Sequence, residues 1–222
     1  MITKNKVLLS IAMVLLVSSK IYADPSGAKW VFDVLLNGKN IGEHEFSLST
    51  RDDGHLQVQS NANMSVKLLF FEAFKYEHEA RELWRDGCLQ SIEAVTSQND
   101  NVIMVNGAVS NQYFAVEAKK NNALLEGCIR SFAYWDLQTI IHSKRLLNPQ
   151  TGEYMDVEVI PAGPETIQVA NLSWQSEKFT LIGEKLHIDL WYGPDGKWLK
   201  LRSKLENDRE LIYHLQDPVI SI

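Results

Sequence analysis

Turn dipeptides and tripeptides that only a hairpin explains well recur along this chain, and they confine it to an antiparallel β architecture. Asn37-Gly38 separates the aromatic and aliphatic run Trp30–Leu36 from Ile41–Thr50. Asn and Gly both accept the positive φ that a two-residue hairpin needs. Asp52-Asp53-Gly54, Arg85-Asp86-Gly87 and Pro194-Asp195-Gly196 repeat the signal, and Gln98–Asn101 and Asn121-Asn122 are further polar breaks. Between them lie His55–Val66, Phe74–Trp84, Cys88–Ser97, Val102–Val109 and Tyr113–Ala118. Later come Glu153–Ile160, Thr166–Leu172, Glu177–Ile182, Lys185–Tyr192, Lys197–Leu205 and Glu210–Leu215. Strands at roughly 8–12-residue spacing with turn signals predict an all-β, mostly antiparallel barrel or half-barrel. One segment departs from this pattern. Asp136 can cap a helix with Leu137, Ile140, Ile141 and Lys144 at helical spacing, and Asn148-Pro149 stops it. A prominent helix after the middle of the chain, packed on or into the barrel, is therefore expected.

The first 23 residues read as a cleavable secretion signal. Lys4 and Lys6 precede the apolar run Val7–Val17, and Ile21-Tyr22-Ala23 ends on the small residue a signal peptidase requires. That run is short of the about 20 apolar residues of a spanning helix, and no later segment reaches that length. The expected organisation is signal peptide 1–23 and a single β-rich domain 24–222, long enough for a sizeable core. The formal net charge is −6, and loss of Lys4, Lys6 and Lys20 with the signal leaves the mature form at −9. With no Lys/Arg-rich run, nucleic acid is excluded as an expected partner.

Cys88 and Cys128 are the two cysteines. In an oxidising compartment an even pair predicts one disulfide, stabilising by roughly 4 kcal/mol at most in chain-entropy arithmetic. Two buried thiols are the alternative. A pair so far apart makes no metal motif. No cofactor is implied.

Two triplets carry the candidate site. Glu43-His44-Glu45 and Glu77-His78-Glu79 lie in the second and fourth strands. Alternate strand side chains share a face. His44 therefore lies with Phe46 and Leu48, His78 lies with Phe74, Tyr76, Ala80 and Trp84, and the glutamates point outward. Satisfied interior histidines are the plainest reading. A second makes them the polar anchor for a ligand head group in an apolar cavity, with His44, Phe46, Phe74, Tyr76, His78 and Trp84 as ligand-binding residues. A third is a metal or catalytic pair, for which no further ligands are placed. His187-x-Asp189 shares a face with Trp191, and there a solvent-facing polar row is expected while Leu186, Ile188 and Leu190 take the core face. The apolar run Leu68–Phe71 and the aromatic stretch Phe132–Trp135 suit either core or a hydrophobic cavity. No nucleophile elbow, His-Glu-x-x-His or phosphate-binding glycine loop is present, so catalytic residues stay unassigned.

Several segments, read together, resemble a known family. These are Val34–His44, Tyr76–Ala80 with Trp84–Leu89, Phe132–Trp135, Leu146–Gly152 and Asp189–Tyr192. They look like an uncharacterised group of secreted bacterial proteins, a domain of unknown function. The resemblance implies a Gram-negative periplasmic location and supplies no activity or catalytic residues; it tilts the expected ligand towards lipids. The leading expectation is a periplasmic protein that binds a fatty acid or lipid in a barrel-like cavity. An envelope enzyme acting on lipid or glycan through a histidine base, and a partner-binding protein with a filled core, are the alternatives.

Overall fold

The computed structural model describes residues 27–68 and 71–217. The expected signal peptide lies outside the described residues, as do Leu69 and Phe70 of the apolar run. Fourteen strands form one antiparallel sheet. The first eight are β1 Lys29–Leu36, β2 Lys39–Thr50, β3 Leu56–Leu68, β4 Phe71–Arg85, β5 Cys88–Gln98, β6 Asn101–Ser110, β7 Tyr113–Ala118 and β8 Ala123–Glu126. After the helix α1, Leu137–His142, come β9 Arg145–Leu147, β10 Tyr154–Val169, β11 Leu172–Gly183, β12 Leu186–Tyr192, β13 Trp198–Lys204 and β14 Glu210–Leu215. The spatial order is β8-β7-β6-β5-β4-β3-β2-β1-β14-β13-β12-β11-β10-β9. The first and last strands of the described residues, β1 and β14, thus meet in mid-sheet, with Phe32 opposite Leu215, and the open edges belong to the sequence neighbours β8 and β9.

The turns behave as their residues require. Asn37 and Gly38 both take positive φ, 49° and 77°, as a two-residue hairpin turn demands. Gly42 is needed for a different reason. With φ at 150°, a Cβ there would stand 2.0 Å from the Asn63 carbonyl oxygen, so only glycine lets β2 and β3 approach beside the Val34/Leu35 bulge.

The helix is one short element of six residues. Asp136 caps it, accepting from the Gln138 N–H at 3.0 Å and the Thr139 hydroxyl at 2.6 Å. It ends before Lys144 and Arg145, because Arg145–Leu147 instead satisfies the backbone of Tyr154–Asp156 as β9. The spacing Thr166–Leu172 is also resolved differently. It is the far half of a single long β10, bent at the Pro161/Gly163 bulge, with its turn at Ala170-Asn171.

The gap between β8 and β9 is crossed by a strap, Gly127–Asp136, rather than by a ladder. Cys128 is disulfide-bonded to Cys88 at the start of β5, with a Cα–Cα distance of 5.1 Å. The Leu89 N–H donates to the Ile129 carbonyl, and the Leu147 N–H to the Arg130 carbonyl, both at 2.8 Å. Ile129, Ser131 and Ala133 are buried. The strap and α1 therefore lie across one end of the half-barrel, beside the turns at Gly54, Gly87 and Gly196. We call this the capped end. The opposite, open end carries the turns at Asn37-Gly38, Gln150 and Leu205–Arg209.

Candidate functional site

Period-2 alternation aims even-numbered residues of β1, β2 and β4 inward, and the register ranks them by height. One row runs Phe32, His44, Ala62, His78, Thr96. His44 and His78 are buried as the alternation predicts, while Glu43 and Glu79 are exposed and Glu45 and Glu77 half-buried. His44 is fully engaged: Nδ1 lies 3.1 Å from the Tyr213 hydroxyl and Nε2 2.7 Å from the Ser60 hydroxyl. His78 Nδ1 lies 2.9 Å from the Thr96 hydroxyl. The two rings stand 6.3 Å apart. Burial, helped by the neighbouring His78, lowers the His44 pKa to about 3, and burial lowers that of His78 to about 4. Both imidazoles are thus neutral near pH 7. They form a polar belt across the interior.

The belt separates two differently filled regions. On the capped side Phe32, Phe46 and Trp198 pack together, Phe32 and Trp198 with ring centres 4.4 Å apart and Phe46 and Trp198 5.2 Å apart. The Tyr192 hydroxyl donates to the Tyr134 carbonyl of the strap at 2.9 Å. On the open side a smaller cluster of Val34, Ile41, Ala62 and Met64 does not fill the space. A cavity of about 590 Å³ opens there, walled by Leu36, Ile41, Met64, Phe74, Tyr76 and Tyr213, with Gln98, Gln150 and Arg209 as its polar members.

The six predicted ligand-binding residues divide between these regions. Phe74 and Tyr76 line the open-end cavity. His44 sits behind its floor, joined to the lining Tyr213, and His78 stacks near Tyr76 at 6.4 Å. Phe46 stacks on His44 at 4.1 Å but belongs to the filled core. Trp84 lies towards the capped end, edge-on to Trp135 at 5.7 Å. There it borders a second cavity of about 420 Å³ that also carries Asp86, Asp136 and Asp195.

A buried acid escaped the sequence reading. Glu82 is 6% exposed and projects inward among Leu48, Val58 and Ile92, its register partners and their neighbours. Trp84 Nε1 donates to its Oε2 at 2.9 Å and the Ser131 hydroxyl at 3.0 Å. Burial pushes its carboxyl up to about 7 against the pull of those two bonds. The signal was present in the sequence: 82 has the parity of 78, 80 and 84.

The face shared by His187, Asp189 and Trp191 is not the open polar row expected of it. The far half of the β10–β11 hairpin folds over it, and Trp191 Nε1 donates to the Glu165 carboxylate at 3.0 Å. Asp189 is 2% exposed. It accepts from the Thr180 hydroxyl at 2.8 Å and from Arg202, with Lys178 Nζ at 3.3 Å. Burial pushes its pKa up, but the bonds from Arg202 and Thr180 and the Lys178 charge outweigh this and hold it below the usual carboxylate range. Asp189 thus serves an ion-pair network, and His187 Nε2 stands 4.0 Å away at its margin. Among the described residues no three His, Cys, Asp or Glu side chains converge as a metal site, and no helix is long and apolar enough to cross a membrane.

An unclosed, curled antiparallel sheet with a strapped end and an apolar mouth defines a β-barrel-like protein. The chain belongs to a family known by its domain alone: the model of the domain of unknown function DUF6134 matches residues 32–216. In fold it is similar to the crystal structure of a beta-barrel-like protein of domain of unknown function DUF1849 from Brucella abortus. The TM-score is 0.61 at 11% identity, over 84% of this chain and 94% of that one. LprF from Mycobacterium bovis aligns over 85% of this chain and 83% of its own, at 12% identity and a TM-score of 0.28. No curated protein matches.

Proposed function

We propose that this protein binds a hydrophobic ligand, a fatty acid or lipid, in the open-end cavity of its half-barrel. The observation that carries this reading is the apolar mouth itself. Its walls are aliphatic and aromatic, Tyr76 and Tyr213 among them, and its about 590 Å³ falls within the usual range of small-molecule pockets. Phe74, Tyr76 and, through Tyr213, His44 contribute to it; His78 supports Tyr76 from behind. Burial of the ligand's apolar surface, at about 25 cal/mol per Å², drives association. The same reading places the protein in the periplasm as one β-rich domain, Asp24–Ile222, after removal of residues 1–23. The secretion-signal pattern and the Cys88–Cys128 bond support that location.

Mass spectrometry of protein purified gently from the periplasm tests this, first native and then after organic extraction. A stoichiometric co-purifying lipid is expected, lost from a Leu36→Glu variant that places a carboxylate in the mouth. A clean apo mass, together with no saturable uptake of dodecanoate or dodecanol by the native protein, overturns the reading.

A further inference from the structure

We infer that the ligand is a single-chain anionic amphiphile held tail-inward and head-outward, its carboxylate or phosphate head anchored by Arg209 at the cavity rim. This rests on the ligand-binding reading above and adds polarity and head-group charge to it.

The first argument is charge. The chain has 28 acidic residues against 22 basic ones, and acids crowd two of its other concavities. The capped-end cavity carries Asp86, Asp136 and Asp195, and the outer groove over β2–β4 carries Glu43, Glu45, Glu77 and Glu79. Among the described residues the open-end cavity has no carboxylate in its lining, and its one charged member there is Arg209. Arg209 Nε donates to the Glu206 carbonyl at 3.3 Å, which orients the side chain, and no carboxylate of the described residues lies within ion-pair distance of it. A guanidinium presents paired donors that match a carboxylate or a phosphate in bidentate fashion. Gln98 and Gln150 add amides to the same cavity.

The second argument is the floor. The sequence pattern suggested His44 and His78 as the head-group anchor. In the folded chain both His44 ring nitrogens already have partners, and the hydroxyl of Tyr213, a residue of the cavity lining, is one of them. Both histidines are held neutral by burial. An anion pushed to this depth would be desolvated with no cation to meet it, a cost of several kcal/mol. The apolar tail suits the Ile41, Met64 and Val34 cluster above the belt, and the charged head suits the wet rim.

Calorimetry on the mature chain, with dodecanoate, dodecyl phosphate and dodecanol each below its micellar range, tests the assignment. Both anions are expected to bind at least about tenfold more tightly than the alcohol at low salt, with the gap narrowing as salt is added. In Arg209→Ala the gap should collapse to about twofold while dodecanol affinity holds. Arg209 is exposed, so the substitution leaves the core untouched. Equal affinity of the native protein for all three probes, or a gap that survives Arg209→Ala, overturns the anchor and leaves the cavity reading standing. No binding of any probe overturns both. The ratio of dodecanoate to dodecyl phosphate affinity distinguishes a carboxylate from a phosphate source.

Discussion

The two ends of the interior are built from the same alternating strands, yet one is filled and the other is not. Along β1 the inward residues are Trp30, Phe32, Val34 and Leu36. Phe32 is wholly buried against Trp198, while Leu36, four residues on, borders open space. The capped end has additional material to fill it, namely the strap with Ile129, Ala133 and Tyr134. Among the described residues the open end has the strands' own side chains and a few turn residues, Gln150, Leu205 and Arg209, with no strap across it. An antiparallel sheet of this curvature encloses more volume than its inward residues occupy. A segment laid across one end therefore decides which half becomes core and which becomes cavity.

The difference should show most strongly in stability. Phe32→Ala is expected to cost about 3–5 kcal/mol, the usual range for emptying a packed aromatic site. Leu36→Ala should cost about 1 kcal/mol, as it enlarges an existing space. Denaturant midpoints with unchanged slopes would check both, and equal losses would break the contrast.

Next in size is the belt. The folded-state pKa of His78, about 4, lies below its unfolded value of 6.5. The unfolded chain then binds the proton more readily, and stability is lost as pH falls from about 6.5 towards 4. His78 alone accounts for about 3 kcal/mol over that window. His44 extends the loss towards pH 3. A His78→Gln variant should show a shallower decline between pH 6.5 and 4 in pH-resolved urea unfolding, and an unchanged slope would remove the histidine from the account.

Glu82, on the capped side, works in the opposite sense. Its folded pKa of about 7 exceeds the ordinary 4.5, so the folded chain holds the proton longer, and stability falls as pH rises from about 4.5 to 7. Glu82→Gln keeps an acceptor for Trp84 and Ser131 and removes the ionisation. It should stabilise by roughly 2 kcal/mol at pH 8, less than the full shift because the new amide N–H₂ is itself buried, and that same burial should leave the variant about 1 kcal/mol less stable at pH 4. A loss of stability at pH 8 would mean that the charged form is the one the strap prefers.

Much of this molecule could be read from its sequence because turn chemistry and period-2 alternation are local. Asn37-Gly38 and Pro194-Asp195-Gly196 declare their hairpins, and the parity of His44 and His78 declares their face. Height along the barrel is not local. Phe46 and Phe74 look equivalent on alternation, yet one lies in the core and the other in the cavity wall, because the order β2-β1-β14-β13 brings Trp198 to Phe46. The fate of Asp189 likewise depended on where the β10–β11 hairpin would fold. β8 and β9 were missed because four- and three-residue strands carry too little pattern to stand above their flanks. Arg209 gave no sign at all, since an arginine in a polar turn gains meaning only from the apolar walls that other strands bring beside it.

The meeting of β1 and β14 in the middle of the sheet has a kinetic consequence. β1 waits for a partner from far along the chain, since Phe32 pairs with Leu215. The ladder from β1 to β8 can zip through neighbouring hairpins as the chain emerges, but the β1 edge facing β14 stays uncovered until the last strand arrives. Contacts of such long sequence separation are slow to form, because closure entropy is lost before they return anything. For that interval the unfinished protein presents a long unpaired strand edge, and the arrival of Glu210–Leu215 removes it.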